Sequence, residues 1–389
     1  MAWQWWDDFD RKMCGKWISG EPFEINTQKI TIFFEIKFED NKVEVNFSYD
    51  FPNFANSVFY VEYSDNALYC FHNDRLHRAE YILTLENGII KCKFSVQNCF
   101  GLNGKFEKDL VFIRFSEDVA REYEKELKNK YIVAPKEASK IDILKEYAEY
   151  GDIKSDVKFE FKFDERENMV DVIEKYNLDE LVKGKNDVET ATTLLHWFCG
   201  LYRHGNPPGG LAGKRTPQEI MAFADKNEGR TNCRGLSLAL AQIIRAYNLK
   251  AFHITCFPYE DPFDDCHVVV CVYCESMSKF IMFDPSNNLY IKNKAGEIIG
   301  VEEFRDILIS GGELSPNEDW HKLWGSFADY CDYMAKNLIR IRRYKINGYG
   351  LDGNGVILIP DKYMQNEAKN FDEAEQKQFV TSREYFWQV

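Results

Sequence analysis

The tetrapeptide Asn232-Cys233-Arg234-Gly235 places a thiol where a helix is expected to start. Asn232 is a good N-cap, and apolar residues recur after it at Leu236, Leu240, Ile243 and Tyr247. That spacing predicts a buried helix with Cys233 in its first turn. There the sulfur meets unpaired amide donors at the positive end of the helix dipole, and both favour the thiolate. The Cys233 backbone N–H also points to where the oxyanion of a tetrahedral intermediate would form. A nucleophile of this kind needs a base, and the base needs an orienting group. His267 opens a strand read over His267–Cys274, and the next strand, Lys279–Phe283, ends in Asp284-Pro285. With Glu275–Ser278 as a four-residue turn, Cys274 pairs with Lys279 and Asp284 falls opposite Val269. Asp284 is then one diagonal step from His267, on the same face. A carboxylate there holds the imidazole's tautomer and stabilises the imidazolium. A slip of one residue would turn it to the other face.

Neighbouring residues suggest rival chemistries. Cys266, His267, Cys271 and Cys274 have zinc-ligand types. On one strand, however, His267 and Cys271 face one way while Cys266 and Cys274 face the other, and no CxxC-to-CxxC spacing is present. They read as buried sheet cysteines, and no metal is expected. The Gly/Pro-rich stretch His204–Lys214 ends in Gly213-Lys214. Pro208 stands where a phosphate loop needs its first glycine, and Arg215 where it needs Ser or Thr, so the stretch reads as an exposed loop. His72, His77, His196, His204, His253 and His321 have no evident partner in the sequence and read as structural or surface residues.

The elements that must position these groups follow from the hydrophobic pattern. Alternating runs at Lys29–Phe38, Lys42–Tyr49, Ser57–Tyr63, Ala79–Leu85, Ile89–Val96 and Asp109–Phe115 read as strands, punctuated by turns such as Glu86-Asn87-Gly88. They predict an antiparallel β-barrel or sandwich over residues 1–115. Residues 116–150 read as a charged helical connector, clearest over Val119–Leu127. A helix is expected over Asp187–Tyr202, with Ala191, Leu194, Leu195 and Phe198 on its buried face. One helix followed by the strands Ala251–Phe257, His267–Cys274 and Lys279–Phe283 makes the fold class α+β. Residues 151–389 form the second domain, with a C-terminal extension from about 313 that carries Trp320, Trp324, Tyr330 and Tyr333. Those aromatics read as core, with a substrate-cleft wall as the alternative.

Composition narrows the function. The 389 residues are 45% hydrophobic and 15% aromatic, ample for packed cores. A net charge of −14 argues against nucleic-acid or anionic-membrane binding. The one dense basic cluster, Arg340, Arg342, Arg343 and Lys345, alternates with apolar residues and reads as the solvated face of a strand. The opening residues lack the basic and apolar regions of a secretory leader. No apolar run approaches the roughly 20 residues of a membrane helix. Eleven scattered cysteines without such a leader are expected to be reduced thiols in a cytoplasm.

These segments resemble the transglutaminase-like superfamily, in particular its bacterial branch with an Asn-Cys-Arg motif. The resemblance rests on Asn232-Cys233-Arg234-Gly235, on Ile243 through Ala251, on Asp265-Cys266-His267-Val268-Val269 and on Phe280 through Ser286, in that order. It covers roughly residues 165–340 and says nothing of residues 1–115. It implies a papain-like cysteine-protease fold and a triad carried by Cys233, His267 and Asp284. It also implies amide chemistry through a thioester: acyl transfer to an amine, or hydrolysis when water attacks. Asn232 and Trp197 are candidates for a second oxyanion donor, Trp197 reading first as packing in the helix core. No cofactor is implied. The partners expected are a peptide or protein substrate, with the N-terminal β domain as a surface for a protein partner. The alternative from another class is a catalytically silent binding protein that keeps the fold.

Overall fold

Alternation builds the first part of the chain. In Ile89–Gln97 the side chains of Ile90, Cys92, Phe94 and Val96 are buried while Lys91 and Lys93 are exposed, the pattern of a sheet with one wet face. Two-residue turns at Asp65-Asn66 and Asn87-Gly88 take positive φ at both positions, which matches the right-handed twist of the strands they join. The computed structural model describes residues 9–25, 28–39, 42–49, 60–73, 78–97, 105–121, 132–135, 138–207, 211, 213–261, 263, 265–323, 325–351, 353 and 355–389. The chain divides into two compact units, Met1–Glu126 and Leu127–Val389.

In the first unit, eight strands form a single antiparallel sheet. Its order is Lys42–Tyr49, Ile32–Glu39, Gly15–Ser19, Lys105–Arg114, Ile89–Gln97, Arg78–Glu86, Ala67–Asn73 and Tyr60–Ser64. One face carries a core of packed rings, with Phe47 stacked on Tyr81 at 4.2 Å and Phe34 tilted against Phe112 at 4.6 Å. Gly15–Ser19 and Ala67–Asn73 were not expected as strands: neither shows the clean alternation by which the others were read. Of the strand expected at Ser57–Tyr63, residues 57–59 lie outside the described residues, as do His77, Trp324 and most of the Val119–Leu127 helix.

The second unit is built on a six-stranded sheet in the order Lys279–Phe283, His267–Cys274, Ala251–Phe257, Arg340–Tyr344, Gly355–Leu358 and Phe379–Val380. Neighbours are antiparallel except the last pair. Both faces are covered. Val270, Val272, Cys274, Ile281 and Phe283 point into a core with the helices Asp187–Leu201, Pro217–Asp225 and Cys233–Arg245. Val269, Cys271, Met282, Ile254 and Cys256 point into a second core, which takes in Ile132, Ile143, Leu144 and Tyr147 from the stretch expected as a connector. The chain after about 313, expected as a C-terminal extension of the second domain, contributes the helix Phe327–Asn337, and its strands from Arg340 to Val380 supply half of this sheet.

The basic cluster in that segment is a correction. Arg340 and Arg343 are buried, not solvated. Arg340 donates to the carbonyls of Pro258 (3.0 Å) and Glu260 (2.7 Å) and to Asp261. Arg343 donates to the carbonyls of Phe386 and Gln388 and lies over Phe159 and Phe252, 3.7 and 4.2 Å from their centroids. A guanidinium tolerates burial when carbonyls and aromatic faces replace its water.

The helix Cys233–Arg245 is held at both ends. Asn232 caps it by accepting from the Gly235 N–H at 3.0 Å. Gly235 is required by packing: a Cβ there would stand 2.4 Å from the Thr231 hydroxyl oxygen and 2.9 Å from Leu211. One turn along, the Ser237 hydroxyl donates to the Val268 carbonyl at 2.8 Å, joining the helix to the residue after His267. At the far end Arg245 pairs with Glu165 and donates to the Ala251 and Gly348 carbonyls, both partners of the ion pair being buried. Burial pushes the Glu165 carboxyl up despite the opposing pull of Arg245, so the pair anchors more than it stabilises. Breaking such a pair is costly because it strands one charge. Glu165→Ala is therefore expected to destabilise the helical signal in urea by about 3–5 kcal/mol. Adding Arg245→Met should recover much of that loss. A Glu165→Ala change of under about 0.5 kcal/mol, the size of an ordinary surface substitution, would contradict the anchor role.

Candidate active site

The hairpin register sets the site. Cys274 pairs with Lys279 and Val270 with Phe283, which carries Asp284 to the end of the sheet beside His267. There the His267 Nε2 and an Asp284 carboxylate oxygen are 2.8 Å apart, with both side chains buried. The Ser286 backbone N–H donates to the other oxygen at 2.9 Å, and the Asn287 amide donates to the first at 2.9 Å. The loop carrying these donors is fixed in turn. The Asp284 and Leu289 backbones bond each other at 2.8 and 3.0 Å, and the Cys199 thiol donates to the Pro285 carbonyl at 3.3 Å. Burial alone would raise the Asp284 pKa, but the His267 charge and these donors leave it lowered, so the carboxylate stays ionised.

With Nε2 committed to Asp284, the other imidazole nitrogen is left for the thiol. His267 hydrogen-bonds Cys233. Burial disfavours the imidazolium, yet the Asp284 charge and hydrogen bond, reinforced by Cys233, raise His267 to about 10. Burial likewise pushes the Cys233 thiol up, but hydrogen bonds from His204 and His267, with their charges, bring it down to about 6. Between these two values the pair exists as thiolate and imidazolium. Every other described cysteine is pushed up, burial being the first cause at each. Cys233 alone among them is lowered.

The structure thus brings Cys233, His267 and Asp284 together. Asn232 sits beside the thiol, its side-chain oxygen occupied as the helix cap. Trp197 packs edge-on to Tyr176 at 5.2 Å on the helix Asp187–Leu201, against the helical core. From the helix Phe327–Asn337, the Tyr333 ring meets the His267 ring edge-on at 5.5 Å, and its hydroxyl donates to Asp265 at 2.8 Å. Tyr330 lies buried near Asp284; burial first, then that charge, pushes its phenol well up.

His204 is the residue the sequence did not reveal. The sequence reads it as structural or surface, whereas its side chain hydrogen-bonds the Cys233 sulfur. A two-residue parallel ladder pairs Arg203 with Arg230 and His204 with Thr231, two positions before the nucleophile. So short a ladder has no periodicity to read. Among the described residues no cluster of three His, Cys, Asp or Glu is placed to hold a metal, and no helix is long and apolar enough to cross a membrane. Cys271 and Cys274 point into opposite cores of the sheet.

No protein-family model matches this chain, and no curated protein matches it. A solved structure from Cytophaga hutchinsonii, described as that of a candidate cysteine protease, is similar over 38% of this chain and 48% of its own. The identity is 17% and the TM-score 0.24. This chain therefore matches about half the length of that protein.

The electrostatics give a selective test. Iodoacetamide at about pH 7 is expected to label Cys233 ahead of the other thiols, whose ordinary pKa lies well above that pH. The rate should fall below about pH 6 as the sulfur takes up its proton. Mass-spectrometric mapping that finds Cys14 or Cys331 labelled as fast as Cys233 would contradict the lowered thiol.

Proposed function

We propose that this protein is a thiol-dependent amide hydrolase or acyltransferase of the transglutaminase-like type, acting on a peptide or carboxamide. Residues 151–389 are its papain-like catalytic domain and residues 1–115 a β domain that docks a protein partner. The observation that carries the proposal is the buried relay in which one imidazole is held by Asp284 at 2.8 Å while it hydrogen-bonds the single thiol lowered among those described.

In this mechanism the Cys233 thiolate attacks the amide carbonyl, and the C=O π pair moves to oxygen. The helix-head N–H of Cys233 stabilises that oxyanion. As the intermediate collapses, His267 gives its proton to the leaving amine, and a thioester remains. His267, now neutral, takes a proton from the incoming water or amine, and the thiolate is expelled. Asp284 keeps Nε2 bonded throughout and stays unprotonated. The described cysteines are all free, which supports a reducing, cytoplasmic setting.

The test is to incubate a peptide extract with each variant and survey it for cleavage, side-chain deamidation and amine incorporation. Cys233→Ala should abolish every change seen with wild type while leaving urea stability nearly unaltered. Asp284→Asn should slow turnover by about 10⁴-fold through a mis-set imidazole. A near-normal rate in Asp284→Asn would remove the carboxylate from the mechanism.

A further inference from the structure

The backbone around His204 is fixed on both sides. The Arg203 N–H donates to the Gly229 carbonyl at 2.9 Å, and the Gly205 N–H donates to the Thr231 carbonyl at 3.0 Å. His204 therefore sits in register with Thr231, from which the chain runs through Asn232 directly into the helix head. Its half-buried ring reaches the Cys233 sulfur. Two imidazoles thus meet one thiol, with different supports. Asp284 holds the His267 ring, the arrangement of a base. The ladder fixes the His204 backbone two residues from the nucleophile in register, and the ring meets the sulfur from there. A thiolate can only accept, so an imidazole bonded to it must present an N–H.

We propose that His204 is a further catalytic residue and the second oxyanion donor of the site, its imidazole N–H serving beside the backbone N–H of Cys233. This rests on the thiol-enzyme reading above. In the free enzyme the His204 N–H donates to the thiolate. On attack, the sulfur lone pair becomes the S–C bond and the C=O π pair becomes the negative charge on oxygen. That oxygen is bonded to the very carbon the sulfur has joined, so a donor already at the sulfur lies beside the new charge and transfers its hydrogen bond to it. On collapse the pair returns to the carbonyl, and the leaving amine takes its proton from His267. His204 gives up no proton at any step. A side-chain imidazole can act as such a donor, and losing one oxyanion donor costs about 10²–10³-fold in rate.

Two reagents separate the donor role from thiol activation. Iodoacetamide alkylates the sulfur by displacement at a saturated carbon and forms no oxyanion; p-nitrophenyl acetate acylates it through a tetrahedral one. His204→Gln keeps an N–H donor and His204→Met removes it at similar size. The proposal predicts that the ratio of Cys233 acylation to Cys233 alkylation falls about 10²–10³-fold in His204→Met and stays within about 10-fold of wild type in His204→Gln. Equal ratios in both variants and wild type would overturn it. The thiol-enzyme reading fails separately, if His267→Ala leaves Cys233 alkylation as fast as in wild type. Slow alkylation in His267→Ala together with unchanged ratios in the His204 variants would retain that reading and discard His204.

Discussion

An ionised carboxylate with no exposed surface is the constraint around which the second unit is arranged. Asp284 is fully buried, and an uncompensated charge in such a place costs several kcal/mol. Each of its oxygens accepts at least one hydrogen bond, from the Ser286 amide, the Asn287 side chain or His267. Compensation on this scale leaves the carboxylate negative, and its field keeps the imidazole charged in turn. Hydrogen bonds from His204 and His267, with the charge on the His267 ring, then lower the thiol against its burial. Three groups that burial alone would neutralise are each kept ionised by the next.

This coupling depends on contacts that fix the helix head against the strand. The Cys233 helix must present sulfur to a ring on a strand it does not follow in sequence, and the Ser237–Val268 hydrogen bond fixes that approach one turn from the thiol. Gly235 lets the helix head close against Thr231. On the far side the helix Phe327–Asn337 sets Tyr333 against the His267 ring and places Tyr330 near Asp284. Both aromatics belong to or pack against the core of the sheet's other face, as the sequence reading favours.

Much of this site was legible in the residues because it is local. A capped helix of 3.6 periodicity and a hairpin with a four-residue turn each specify geometry over a few residues, and together they set Cys233 at a helix head and His267 diagonal to Asp284. What could not be read depends on long-range pairing. His204 is delivered by a two-residue ladder to a segment 27 positions away in the register. Arg340 and Arg343 carry charge, which argues for solvent, yet their burial is decided by carbonyls and rings contributed from distant segments. Arg340–Tyr344 joins the sheet beside Ala251–Phe257, a strand far away in sequence, which no periodicity encodes. In the N-terminal unit the regular alternation of Ile89–Gln97 was readable, while Gly15–Ser19, paired between distant strands, was not.

The central claim is that a buried imidazole stays charged because it stands between a carboxylate and a thiolate. The most direct measurement is ¹⁵N nuclear magnetic resonance of the His267 ring at about pH 8, well above the ordinary histidine pKa. The account predicts an imidazolium with both nitrogens protonated in wild type, and a lower titration midpoint in Cys233→Ala, where the partner thiolate is gone. A His267 ring that is neutral at that pH with Cys233 in place would contradict it.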